Sequence, residues 1–123
     1  MTRINVGIPP AELTGKHLIA EHREIKRIPN CVAKGKYNIE GIPDKFKLGT
    51  GHVKFFYNKL KYLKKRYIML YIECLRRGYK VQNYLDAWNN IPEELMGDYT
   101  PTNNDRKIVR QRIKEKITNF LTK

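Results

Sequence analysis

Acidic side chains are scarce in this chain. Asp and Glu number 12 against 25 Lys and Arg, which leaves a formal net charge of +13 and a sequence pI near 9.9. That shortage points to a polyanionic partner. Nucleic acid comes first, because a basic surface neutralises phosphates and gains from counterion release; an anionic membrane surface comes second. Cysteine is nearly absent: Cys31 and Cys74 are too few and too far apart to form a disulfide framework or a metal knuckle, and reduced packing thiols are expected. No apolar run approaches the roughly 20 residues of a membrane span, and the N-terminus shows no signal-peptide core. A soluble, intracellular protein is therefore expected. There is no internal repeat and no low-complexity tract.

The 123 residues suit one domain with a single core spanning 1–123, since roughly 100–150 residues is the commonest domain size. A short alternating segment, Thr2 to Val6, is broken by Gly7-Ile8-Pro9-Pro10. A first helix is then predicted from about Pro10 to Arg27, with a local break possible at Gly15 and an end enforced by Pro29, which disfavours helical geometry at Ile28. Pro29 to Leu48 reads as an irregular basic connection.

The second helix has the clearest signal. Val53, Phe56, Leu60, Leu63, Tyr67, Leu70 and Cys74 recur at steps of three and four, with Phe55, Ile68, Tyr71 and Leu75 widening the stripe. It is predicted from about Gly51 to Arg77, roughly 40 Å long at 1.5 Å per residue, capped by Thr50 and ended by Gly78. A third amphipathic helix fits Asp105 to about Leu121, with Val109, Ile113, Ile117 and Phe120 as its stripe. Between them, Tyr79 to Pro101 reads as loop with a turn near Pro92-Glu93-Glu94. The fold class is all-α, a compact domain of three main helices.

Positive charge is concentrated in two places: Lys59, Lys61, Lys64, Lys65 and Arg66 on the second helix, and Arg106, Lys107, Arg110, Arg112, Lys114 and Lys116 on the third. One such run is usually just a solvated face; two elements of the same sign favour a polyanion-binding surface. The tyrosines Tyr57, Tyr62, Tyr67 and Tyr71 sit at helical spacing and read as core or half-buried residues before they read as base-stacking platforms. His52 could meet a phosphate, cap a helix or simply pack. His17 and His22 are five residues apart and do not share a helical face, so no metal site is expected.

The stretch with chemical character is His17 to Arg27. As a helix it places His17, Ala20, Arg23, Glu24 and Arg27 on one side and Leu18 and Ile25 on the other. A carboxylate flanked by two arginines and a histidine suits an anionic ligand and acid–base work. A free Thr2 amine, exposed once Met1 is removed, would supply a nucleophile.

Several segments, read jointly, carry a resemblance over nearly the whole chain, up to about Ile117. They are Met1-Thr2-Arg3-Ile4-Asn5, His17-Leu18-x-Ala20-Glu21-x-Arg23-Glu24 with Arg27, Leu48-Gly49-x-Gly51-His52-Val53-x-Phe55-Phe56-Tyr57-x-Lys59-Leu60, Glu73-Cys74-Leu75-x-Arg77-Gly78 and Gly97-Asp98-Tyr99-x-Pro101. Together they resemble the phage pyrimidine-dimer DNA glycosylases, the endonuclease V type of the T-even phages. The resemblance implies a compact helical glycosylase and abasic-site lyase acting on ultraviolet-damaged double-stranded DNA without metal or organic cofactor. It implies Thr2 as amine nucleophile, Glu24 as catalytic carboxylate, and DNA contacts from Arg3, His17, Arg23, Arg27, Arg112 and Lys116. It further implies a sharply kinked duplex with a base opposite the lesion turned outward, a monomer, and a setting in the cytoplasm or nucleoid of a phage-infected bacterium.

The chain departs from the family pattern in three respects. The connection after Arg27 is shorter, the aromatic- and basic-rich C-terminal tail is absent, and His22 replaces a tyrosine. These leave open a relative acting on another damaged or modified base. A non-catalytic basic DNA-binding protein is the alternative from a different class of function.

Overall fold

Leu60, Leu63, Tyr67, Leu70 and Cys74 lie buried along one face of a helix, as their spacing predicts. The computed structural model describes residues 2–121, with side chains as far as residue 118; Met1 and the side chain of Phe120 lie outside the described residues. Every regular element among the described residues is helical. They are α1 (Gly15–Glu24), α2 (Arg27–Ala33), α3 (His52–Phe55), α4 (Leu60–Arg76) and α5 (Asn103–Leu121), with short 3₁₀ turns at Pro10–Glu12, Leu85–Trp88 and Glu93–Leu95. The all-α expectation holds, with α1, α4 and α5 as the three main helices. The core gathers around the buried face of α4: Leu18 and Ile25 from α1, Ile28 and Val32 from α2, Phe55 and Phe56 at α3, Trp88, Leu95 and Val109.

The predicted 40 Å central helix is divided in two. Residues Phe56 to Lys59 form a turn, with Lys59 at φ −129° and ψ 37°, and α4 restarts at Leu60 with 17 residues, roughly 25 Å. The cause is tertiary. The Gly97 carbonyl accepts from the backbone N–H groups of Lys61 and Tyr62 at 3.1 and 3.2 Å, satisfying two of the four donors that a helix start leaves open. Gly97 approaches so closely that a Cβ there would stand 2.3 Å from the Asn58 carbonyl oxygen. Gly97→Ala is therefore expected to lower stability by about 1–3 kcal/mol, the usual cost of overpacking, read as a lower denaturation midpoint at unchanged m-value.

The first helix is also divided. Thr14 caps α1 by accepting the His17 N–H at 3.3 Å, and the chain turns at Ile25–Lys26 and re-enters helix at Arg27. Pro29 does not stop it. It occupies the first turn of α2, where the missing N–H is one of the donors without a partner in any case. Thr50 makes no cap; the position before α3 is Gly51, at φ +89°. Gly78 does end α4. Its φ is +80°, its N–H meets the Leu75 carbonyl, and Tyr79 N–H meets the Cys74 carbonyl, the paired closure of a Schellman motif.

Helix α5 starts two residues before Asp105, because Thr102 and Asp105 bond reciprocally, each backbone N–H to the other's side chain at 3.0 Å. Its stripe packs only in part. Val109 is fully buried and Ile113 half-buried, while Ile117 is exposed. Ile68 and Leu75, expected to widen the buried stripe of α4, lie instead on its solvent side with Met69 and Ile72. The core covers only one face of that helix.

Candidate active site and nucleic-acid interface

The segment Thr2 to Ile8 runs through the core without helical or sheet partners, and Ile4, Asn5, Val6 and Ile8 are buried. Buried backbone groups must be paired, and here side chains from several elements do it. Arg3 N–H donates to Glu24 Oε1 at 3.3 Å, Ile4 N–H to His52 Nε2 at 3.0 Å, and Gly7 N–H to the Tyr62 hydroxyl at 3.4 Å. The Ile8 carbonyl accepts from Arg66 Nη1 at 2.9 Å and the Gly7 carbonyl from Arg106 Nε at 3.3 Å. Elements spread over a hundred residues of chain thus hold one short N-terminal segment in one conformation.

Beneath it lies a buried polar network. Arg66 is bound twice by Glu21, through Nε to Oε2 and through Nη2 to Oε1 at 2.9 Å. Asn5 Nδ2 donates to Glu21 Oε1 at 2.7 Å, and Asn5 Oδ1 accepts from Arg112 Nη2 at 2.7 Å. The network joins the N-terminal segment, α1, α4 and α5 at one point. Arg66 is therefore no part of a polyanion surface, and the buried Glu21 carboxylate is engaged by three N–H donors from Arg66 and Asn5. The sequence held the signal: both residues fall at stripe positions, Glu21 between Leu18 and Ile25, Arg66 between Leu63 and Leu70. A charge on an apolar stripe requires a buried partner.

Glu24 has one oxygen on Arg3 N–H and the other 3.6 Å from Arg23 Nη2, and its side chain is 14% exposed. The carboxylate is accessible, held, and one residue from the Thr2 nitrogen. Around it lies a concentration of positive charge. Burial first, then Arg112, Lys16, Arg3 and Lys116 hold the His17 imidazole below its ordinary pKa. Burial and the nearby Arg3 charge do the same to Arg112, against Glu21 and Glu24. His17, Arg3, Arg112 and Lys116 therefore share one field with Glu24. The Thr14 hydroxyl, already accepting the His17 backbone N–H, stands 2.7 Å from Nδ1 and can donate to it, which leaves the ring proton on Nε2. Arg23 and Arg27 are exposed at the end of α1 and the start of α2.

The sequence model of the pyrimidine dimer DNA glycosylase family matches residues 1–86. The chain belongs to that family. It is accordingly a DNA repair glycosylase whose substrate is DNA, and its basic excess has its partner. The matched span includes Thr2, Arg3, His17, Arg23, Glu24 and Arg27; Arg112 and Lys116 lie beyond it, Arg112 bonded to Asn5 and both close enough for their charge to act on His17.

The lysines and arginines of the glycosylase divide by role. Lys65 pairs with Asp98 at 2.5 Å, Arg110 with Glu12 at 2.9 Å, and Lys59 donates to the Phe55 carbonyl at 2.9 Å. Lys107, Lys114 and Lys116 are exposed and form no ion pair among the described residues. His22 is buried among Tyr67, Tyr71 and Tyr84, with Nε2 3.2 Å from the Tyr67 hydroxyl, far in character from the wet face that holds His17. No three His, Cys, Asp or Glu side chains among the described residues are grouped to hold a metal ion.

Proposed function

We propose that this glycosylase is also an abasic-site lyase, working through the α-amine of Thr2 after Met1 is removed, with Glu24 as the catalytic carboxylate. The observation that carries the reading is the 3.3 Å bond from Arg3 N–H to Glu24 Oε1, since the Thr2 nitrogen lies one residue before the Arg3 nitrogen and within about 3.8 Å of it, one Cα-to-Cα step. An α-amine has a reference pKa near 8. The charges of Arg112, Lys16, Arg3 and Lys116, which act after burial to lower His17, disfavour an ammonium in the same region, against the Glu24 carboxylate that favours it.

The amine lone pair attacks C1′ of the damaged nucleotide, and the C1′–N bond to the base breaks, the base leaving with the electron pair and taking a proton. The sugar ring opens as O4′ departs from C1′ with its electron pair and takes a proton from water, forming a protonated imine to Thr2. Loss of a C2′ proton to a base then sends its electron pair toward the imine, and the C3′–O bond breaks, releasing the phosphate. Glu24 stabilises the cationic sugar in the first step and carries the proton in the second. The substrate is damaged pyrimidine in double-stranded DNA, with a cyclobutane dimer as the lesion the family favours. The chemistry uses only the chain's own groups.

Borohydride trapping on abasic-site DNA tests the reading: a covalent adduct mapped to Thr2 supports it, and correctly processed protein that traps nothing favours a binding protein. DNA contacts are tested separately. Lys116→Gln is expected to flatten the slope of log binding constant against log salt by about one unit, one phosphate's worth of released counterion. Arg112 is less clean as a probe, because its guanidinium also holds Asn5.

A further inference from the structure

His52 lies outside the chemistry just described, yet it is buried at 4% exposure between the edges of Phe46 and Phe56, 5.5 and 5.4 Å between centroids. Its two nitrogens are both committed to backbone. Nδ1 is 2.9 Å from the Lys47 carbonyl, which can only accept, so Nδ1 carries the proton. Nε2 is then a lone pair, and it accepts Ile4 N–H at 3.0 Å. Successive amides of the N-terminal segment are thus held from two elements, Arg3 by Glu24 of α1 and Ile4 by His52 of α3. We infer that His52 is a positioning residue for the Thr2 amine, fixing through Ile4 the segment that carries the nucleophile. The inference rests on the amine mechanism proposed above.

The arrangement has a built-in direction in pH. A protonated ring would present a second N–H to the Ile4 N–H and lose the bond. Charged groups face the ring from three elements: Arg3 from the N-terminal segment, Glu21 from α1 and Arg112 from α5; the Lys47 carbonyl meets it from the preceding loop. Burial, Arg112 and Arg3 lower the His52 pKa, against the Lys47 carbonyl and Glu21. For a group whose folded pKa is depressed, the stabilisation is present above the reference value near 6.5 and is lost as pH falls through the folded pKa. The clamp therefore holds at neutral pH and releases on the acid side.

The test compares His52→Leu, which removes both bonds, with His52→Gln, whose carbonyl can accept from Ile4 and whose amide can donate to Lys47 without titrating. Processed protein in excess over abasic-site duplex is trapped with borohydride under single-turnover conditions from pH 5 to 8, with affinity for the same duplex measured alongside. We expect His52→Leu to trap roughly 10²-fold more slowly with affinity unchanged, the cost of an ångström-scale misplacement. His52→Gln should recover most of that loss and lack the part of the acid decline that the parent shows below about pH 6.5. A folded His52→Leu that traps at the parent rate overturns the inference, as does a folded His52→Gln that recovers nothing. If His52→Leu does not fold, an acid limb in His52→Gln identical to the parent's overturns it and a reduced one supports it. Absence of any Thr2 adduct from the parent removes the amine reading and this inference together; a Thr2 adduct with unaffected variants removes only the inference.

Discussion

Glu24→Gln is expected to bind damaged duplex as the parent does and to lose base excision by roughly 10²–10⁴-fold, the range associated with a positioned acid–base group. The substitution keeps the shape and an oxygen able to accept Arg3 N–H, the 3.3 Å bond that ties the N-terminal segment to α1. What disappears is the negative charge amid Arg3, Arg23 and Arg112 that the proposed mechanism uses to stabilise the cationic sugar. Glu21 is committed to Arg66 and Asn5. Release of free base from lesion-containing duplex, with binding and thermal unfolding measured on the same sample, reads the effect. Excision at the parent rate by a folded Glu24→Gln would remove Glu24 from the mechanism.

Protein that retains Met1, or carries any residue ahead of Thr2, is expected to fall to background in both excision and strand cutting. In such a chain the Thr2 nitrogen is a peptide amide whose lone pair is delocalised into the carbonyl, so it can neither attack C1′ nor form the imine. The fold should survive, since the bonds that hold the segment start at Arg3 N–H and continue through Ile4, Gly7 and Ile8. Homogeneous Met1-bearing protein, verified by intact mass, and its processed counterpart give the comparison on one abasic substrate. Full activity from the unprocessed form would rule out the amine mechanism whatever the fate of Glu24→Gln.

Periodicity alone was enough to identify the helical class, because the apolar stripes of α4 and α5 and the polar face of α1 are local patterns that a helix must satisfy wherever it packs. The same patterns could not say where the helices break. The interruption at Asn58–Lys59 depends on Gly97, nearly forty residues away, offering its carbonyl to the new helix start, and the turn at Ile25–Lys26 accommodates a proline that local rules read as an end. The exposure of Ile68 and Leu75 likewise follows from which side of α4 its neighbours cover.

The residue types of the site, an N-terminal threonine, Glu24 and a surplus of cations, are visible in the sequence because chemistry limits which side chains can serve. Their convergence is not, because it depends on contacts between residues far apart in the chain. Whether Arg66 is a surface charge or the buried partner of Glu21, and whether His52 meets a phosphate or an amide of the N-terminal segment, turns on contacts 45 and 48 residues apart. By itself the sequence determined the helical class and the anionic partner, since both follow from composition or local spacing, while Thr2 as candidate nucleophile came from the resemblance to the family. Only the tertiary structure decided which charges are buried and which are exposed, because desolvation forces a buried charge to be paired and leaves an exposed one to find its partner in solution.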